Sequence, residues 1–126
     1  MARASILIVD DEPIVREAIR DWLVDAGYDV TTAETGERAL EITAEQDFGL
    51  VILDVRLPGK TGIRVLEEMK AAKPDVKAII ITAYASPQMR TEATRLGALH
   101  YLSKPIAPDQ LEKIVEKALA DESSAN

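Results

Sequence analysis

The sequence has no cysteine. That absence excludes disulfides, thiolate metal sites and cysteine nucleophiles together, and it fits a reducing compartment. Histidine is nearly as scarce. His100 is the only one, so no pair of imidazoles can share a metal, and beside Tyr101 on a short apolar run it reads as a structural, solvent-facing side chain. Bases are outnumbered: 15 Lys and Arg against 22 Asp and Glu leave a formal charge of −7. A free-standing nucleic-acid binder carries the opposite sign to neutralise phosphates. Long hydrophobic runs are missing too. The run at residues 5–9 falls far short of the roughly 20 residues that span a bilayer, and Asp10 interrupts the N-terminal stretch before a signal-peptide core can form. There is no low-complexity segment and no internal linker. These absences leave the expectation of one soluble, acidic, cytoplasmic domain with no membrane or direct nucleic-acid contact. Its 126 residues suffice for a core that hides roughly two-thirds of the unfolded chain's surface.

What is present is a rhythm. Short apolar runs recur at residues 6–9, 30–33, 50–53, 78–81 and 99–102. Most are continuous rather than alternating, as parallel strands covered on both faces require. Between them lie segments with helical spacing. Ile14, Ala18, Ile19, Trp22, Leu23 and Ala26 form one stripe that Gly27 ends, and Leu111, Ile114, Val115, Ala118 and Leu119 form another. Ala39, Leu40 and Thr43 mark a shorter helix, and Ile63, Leu66 and Met69 one that stops before Pro74. Residues 86–96 have the thinnest stripe, only Met89, Ala93 and Leu96, before Gly97. The pattern predicts a (βα)5 domain of the α/β class over residues 1–120. Residues 121–126 read as a polar tail or the start of a linker.

Most of the runs end in chemistry. The first leads into Asp10-Asp11-Glu12, the third into Asp54, the fourth into Thr82 and the fifth into Ser103-Lys104-Pro105, whereas the second ends blandly at Thr31, Thr32 and Ala33. Right-handed crossovers put all carboxyl ends of a parallel sheet on one edge. The flavodoxin-like, doubly wound strand order 2-1-3-4-5 sets the four polar ends side by side and leaves the bland one outside. Asp10, Asp11 and Asp54 then converge. Two carboxylates about 4 Å apart repel by roughly 4 kcal/mol at an effective dielectric near 20, so three need a cation or a shared proton. Hard oxygens without histidine or cysteine favour Mg2+ or a similar divalent ion such as Mn2+. A carboxylate, a metal, a hydroxyl and an ammonium around one point suit phosphoryl transfer, with the carboxylate as candidate nucleophile.

These residues resemble the receiver domain of bacterial two-component response regulators. The resemblance runs from Ile6-Leu7-Ile8-Val9-Asp10-Asp11-Glu12 through Asp54-Val55-Arg56-Leu57-Pro58-Gly59, Thr82-Ala83-Tyr84 and Gly97-Ala98 to Tyr101-Leu102-Ser103-Lys104-Pro105. It implies a phosphorylation-dependent signalling switch rather than a conventional enzyme, with its own phosphotransfer and slow autodephosphorylation chemistry. Asp54 would accept a phosphoryl group from a sensor histidine kinase or phosphotransfer protein. Asp10, Asp11, Asp54 and the Arg56 carbonyl would hold Mg2+, Thr82 and Lys104 would contact the phosphoryl oxygens, and Tyr101 would swing inward on activation. A cis peptide bond between Lys104 and Pro105 is also implied. Lys60 and Thr61 depart from the family's usual apolar and acidic residues there, which touches partner contacts rather than chemistry. The readout is expected on the face made by residues 86–119, as homodimerisation or contact with an output domain or partner, in keeping with transcriptional control.

Single residues have plainer readings. Asp11 ahead of Glu12-Pro13 can be a helix N-cap, and Asp54 can be a turn residue. Gly59-Lys60-Thr61 imitates the end of a P-loop, but the first glycine of that motif falls on Asp54 and Pro58 lacks an N–H. A dehalogenase-type phosphatase would use Asp10, yet its motif is Asp-x-Asp and the pair here is adjacent. A flavodoxin would need a loop rich in Ser, Thr and Gly where Asp10-Asp11-Glu12 stands.

Overall fold

The computed structural model describes residues 3–83 and 85–120, so Tyr84 of the Thr82-Ala83-Tyr84 motif and the tail at 121–126 lie outside the described residues. Strands and helices alternate: β1 (Ser5–Val9), α1 (Pro13–Asp25), β2 (Asp29–Ala33), α2 (Gly36–Glu45), β3 (Leu50–Leu53), α3 (Gly62–Ala72), β4 (Ala78–Thr82), α4 (Pro87–Arg95), β5 (His100–Ser103) and α5 (Pro108–Ala120). The strands form one sheet in the order β2-β1-β3-β4-β5, and every pairing is parallel. The expected (βα)5 flavodoxin-like architecture is therefore present. β5 runs one residue later than the apolar run suggested, although the Leu99 amide already donates to the Ala78 carbonyl at 2.8 Å.

Burial explains why the central runs are continuous. All of β3 and β4 is buried, because helices cover both faces of the sheet. Leu7, Val9, Leu53 and Ile80 face Ala39 of α2, Val65, Leu66 and Met69 of α3 and Ala93 of α4. Ile6, Ile8, Ile52, Ile79 and Ile81 face Ile19 and Leu23 of α1 and Leu111, Val115 and Ala118 of α5. α4 buries only Ala93. Truncating a buried leucine such as Leu66 costs about 2–5 kcal/mol, and α4 has no such anchor. It is the most weakly held helix of the five.

Ile14 does not join the α1 core stripe. It is 86% exposed, because at 3.6 residues per turn it lies about 140° around the helix from Ile19. Thr35, Thr61 and Ser86 cap α2, α3 and α4 by accepting from the amides of Arg38, Arg64 and Met89. At α1 the cap position belongs to Glu12, not Asp11, and the Glu12 side chain makes no capping bond. Among the described residues no helix is long and apolar enough to cross a membrane.

One close approach fixes how α3 meets β3. The Gly62 amide donates to the Val55 carbonyl at 2.8 Å. A Cβ on Gly62 would collide with the Asp54 carbonyl oxygen and stand 2.8 Å from Val55 Cα. Backbone cannot yield as a flexible side chain can. Helix propensity alone would make Gly62→Ala stabilising by up to ~1 kcal/mol. The expected result is the opposite sign, a loss of about 1–3 kcal/mol from overpacking, read from urea denaturation midpoints at unchanged slope.

Candidate functional site

The strand order brings the ends of β1, β3, β4 and β5 together and leaves β2 at the margin. Asp10 and Asp54 follow neighbouring strands and use the same local device. The Asp10 amide donates to the Ala33 carbonyl at 3.2 Å, and that of Asp54 to the Val9 carbonyl at 3.0 Å. Asp10 Oδ1 accepts from the Glu12 amide at 2.9 Å, and Asp54 Oδ1 accepts from the Arg56 amide at 3.1 Å. Each aspartate thus closes a turn with the amide two residues on, as its short side chain favours. The second oxygen of each is left for the crevice. Arg16 steadies the first loop by donating from Nη1 to the Asp10 carbonyl at 2.8 Å.

Those second oxygens meet Lys104. Its Nζ stands 2.9 Å from Asp10 Oδ2, 2.7 Å from Asp54 Oδ2 and 2.7 Å from Glu12 Oε1. The ammonium donates hydrogen bonds to Glu12 and Asp54 and forms an ion pair with Asp10. The Lys104 amide donates to the Thr82 carbonyl at 2.9 Å, which seats the lysine against β4. The Lys104–Pro105 bond is cis, in line with the resemblance. Burial by itself would lower the lysine pKa, but hydrogen bonds to Asp54, Glu12 and Asp10 outweigh it and push the pKa up. Lys104 is therefore a fixed positive charge at ordinary pH. Asp10 moves upward instead: its burial is the largest influence, and the Glu12 amide and Lys104 offset only part of it. One ammonium does not fully compensate this group of carboxylates.

The remaining expected residues sit around this centre. Asp11 is exposed and lines, with Glu12, Asp54, Arg56, Leu57, Pro58 and Ala83, a cavity of about 370 Å³. Thr82 is fully buried at the end of β4. Tyr101 is already inside, packed with the cluster that holds Ala93. The Arg90 guanidinium of α4 covers its ring at 5.6 Å. The inward position expected of the activated protein is thus the one this structure displays. His100 departs from expectation: it is half-buried, and its Nε2 is shielded without a hydrogen-bond partner. The P-loop imitation dissolves, since Thr61 caps α3 and the Lys60 ammonium pairs with Glu68 at 2.6 Å.

Glu12 is the residue that sequence reasoning left out. Among the described residues, the carboxylates whose oxygens lie within 4.8 Å of one another are Asp10, Glu12 and Asp54, whereas the sequence pointed to Asp10, Asp11 and Asp54. Adjacency in Asp10-Asp11-Glu12 carries no information about which side chain turns inward. That depends on the turn at Asp10. The donor set is all hard oxygen with surplus negative charge, and it fits Mg2+ or Mn2+.

Comparison with known proteins agrees with this geometry. The chain is 43% identical over 120 residues to the transcriptional regulatory protein ZraR of Escherichia coli strain K12, covering 92% of this chain but 26% of that protein. It therefore spans about a quarter of the length of that curated relative. It is 36% identical over 119 residues to the sporulation initiation phosphotransferase F of Bacillus subtilis strain 168, covering 94% of this chain and 96% of that one. The response regulator protein TrrA of Thermotoga maritima, solved in complex with Mg2+ and BeF, superposes with a TM-score of 0.83 at 38% identity, covering 94% of this chain and 99% of that chain. The family model for the response regulator receiver domain matches residues 6–116. A match that runs from the first strand into the last helix, through every strand end of the crevice, shows that the chain belongs to the response regulator receiver domain family.

Proposed function

We propose that Asp54 is the phosphoacceptor of this receiver domain and that a sensor histidine kinase or a phosphotransfer protein is the donor. The observation that carries the assignment is the setting of Asp54. It is buried on the central strand edge, with one oxygen tied to the Arg56 amide and the other 2.7 Å from the Lys104 ammonium. In the transfer, a bond forms between an Asp54 carboxylate oxygen and phosphorus while the phosphorus–nitrogen bond of a phosphohistidine breaks. The imidazole leaves with the bonding pair and takes up a proton. Asp10, Asp11, Asp54 and the Arg56 carbonyl would hold Mg2+, with Glu12 at their edge, and the bound ion would neutralise charge on the phosphoryl oxygens. Lys104 supplies the fixed positive charge toward which those oxygens turn, and the Thr82 hydroxyl is their second contact.

The donor must press against the rim of the crevice. Beside Lys104 runs an apolar groove of about 210 Å³, lined by Ile14, Val15, Ala18, Trp22, Pro105 and Ile106. Exposed Ile14 at its edge suits an apolar helix face of the donor, and a partner seated in this groove would lie beside Lys104, which contacts Asp54.

The output belongs to the face of residues 86–119. α4 is thinly held, so phosphorylation of Asp54, which replaces one carboxylate charge by a phosphoryl charge of about −1.5 to −2, can move it at low cost. Homodimerisation or contact with an output module, in a cytoplasmic protein, is the proposed readout, and relatives named as transcriptional regulatory proteins support a role in transcription. Three of the face's charges are already matched within the chain: Glu92 pairs with Arg95, and Glu116 with Arg3.

Acetyl phosphate with Mg2+ is expected to add one phosphoryl mass to the protein, and Asp54→Asn or removal of Mg2+ by EDTA to abolish it. A label that persists in Asp54→Asn refutes the assignment. Asp10→Asn keeps partial labelling here, whereas a nucleophile at Asp10 would require complete loss. Ile14→Asp is expected to slow transfer from a phosphorylated kinase domain at least tenfold more than labelling by acetyl phosphate, an energy difference of roughly 1.4 kcal/mol. Lys104→Met leaves the buried Asp10 and Asp54 without their cation. Its expected cost is about 3–5 kcal/mol in metal-free urea denaturation at pH 7, partly recovered by Mg2+.

A further inference from the structure

The three carboxylates on Lys104 are not equivalent. Side-chain exposure is 5% at Asp10 and 4% at Asp54, but 56% at Glu12. The two aspartates are tied in place by the amides of Glu12 and Arg56. The Glu12 side chain has no such bond, although its residue sits at the cap position of α1. It reaches across from the first loop to a lysine 92 positions away, at 2.7 Å. The ammonium thus donates to Glu12 and Asp54 and pairs at 2.9 Å with Asp10 before any phosphoryl oxygen arrives. A phosphoryl oxygen that takes its place on the ammonium displaces one of these contacts, and the exposed, locally untied carboxylate is the least costly to release.

We propose that Glu12 is a positioning residue that acts through Lys104: in the unphosphorylated protein its carboxylate occupies the donor that a phosphoryl oxygen takes over, and so it sets how readily Asp54 is phosphorylated. This deepens the reading of Asp54 as phosphoacceptor and rests on it. Glu12 has two separable effects. Its charge draws cations to the crevice and repels anionic donors, whereas its reach holds one proton of the ammonium. Glu12→Gln removes the charge and weakens the bond. Glu12→Asp keeps the charge but is one methylene too short to reach Nζ.

The competition is made before the chemical step, so it raises the half-saturating donor concentration and leaves the maximal rate alone. At saturating Mg2+, both variants are expected to lower the half-saturating acetyl phosphate concentration about two- to five-fold, the range of a partly exposed charged pair. The maximal labelling rate stays unchanged. Mg2+ affinity measured by calorimetry falls in Glu12→Gln and stays near wild type in Glu12→Asp. A second readout needs neither metal nor donor: in metal-free protein, the Lys104 ammonium protons seen by 15N NMR exchange with water faster in both variants than in wild type. Wild-type half-saturation in Glu12→Asp would assign the effect to charge alone and overturn the proposal. So would unchanged ammonium exchange in both variants. If the wild-type protein takes no label at Asp54, the phosphoacceptor reading is what fails, and the ammonium exchange still decides whether Glu12 holds Lys104.

Discussion

The contact between Lys104 and three carboxylates organises this domain's functional edge. It joins residues from the first, third and fifth βα connections, elements far apart in the chain, around one nitrogen. Burying like charges side by side is unfavourable by several kcal/mol unless a cation answers them. The fold therefore carries its own counter-ion. Because one ammonium faces three carboxylates, the donor set also fits a divalent cation. Stability and reactivity here draw on the same few atoms.

Around that edge the domain divides into a rigid part and a weakly held part. β1, β3 and β4 are packed between helices on both faces, and Gly62 locks the start of α3 against the backbone of Asp54 and Val55. Asp54 thus stands on the least deformable part of the molecule. α4 has the opposite character, with Ala93 as its one buried side chain and Arg90 laid over Tyr101. A charge introduced at a rigid site moves whatever is cheapest to move. In this chain α4 has the fewest buried anchors, and Tyr101 beneath it joins the helix to the edge strand.

Much of this was legible in the residues. Continuous apolar runs gave away buried parallel strands, and polar residues at four run ends favoured the flavodoxin-like order, which sets those ends side by side and leaves the bland second strand outside. Asp10, Asp54, Thr82 and Lys104 were readable because each falls within two residues of the end of an apolar run, so topology alone brings them to one edge. Ile14 was misplaced in the α1 stripe because a spacing of four residues does not say which way the stripe faces. The solvent-facing reading of His100 failed for a related reason, since a lone polar residue on a strand does not reveal what packs over it.

The sequence by itself determined the fold class, the strand order and the set of strand ends that meet, because apolar periodicity and chain connectivity are properties of the chain read in order. Tertiary structure decided which atoms touch. It chose Glu12 over Asp11 as the third carboxylate on Lys104, since the turn closed by Asp10 Oδ1 on the Glu12 amide governs where the next side chains point. It also set Tyr101 inside beneath Arg90. Both choices depend on side chains dozens of residues apart arriving at one place, and no local pattern records such a meeting.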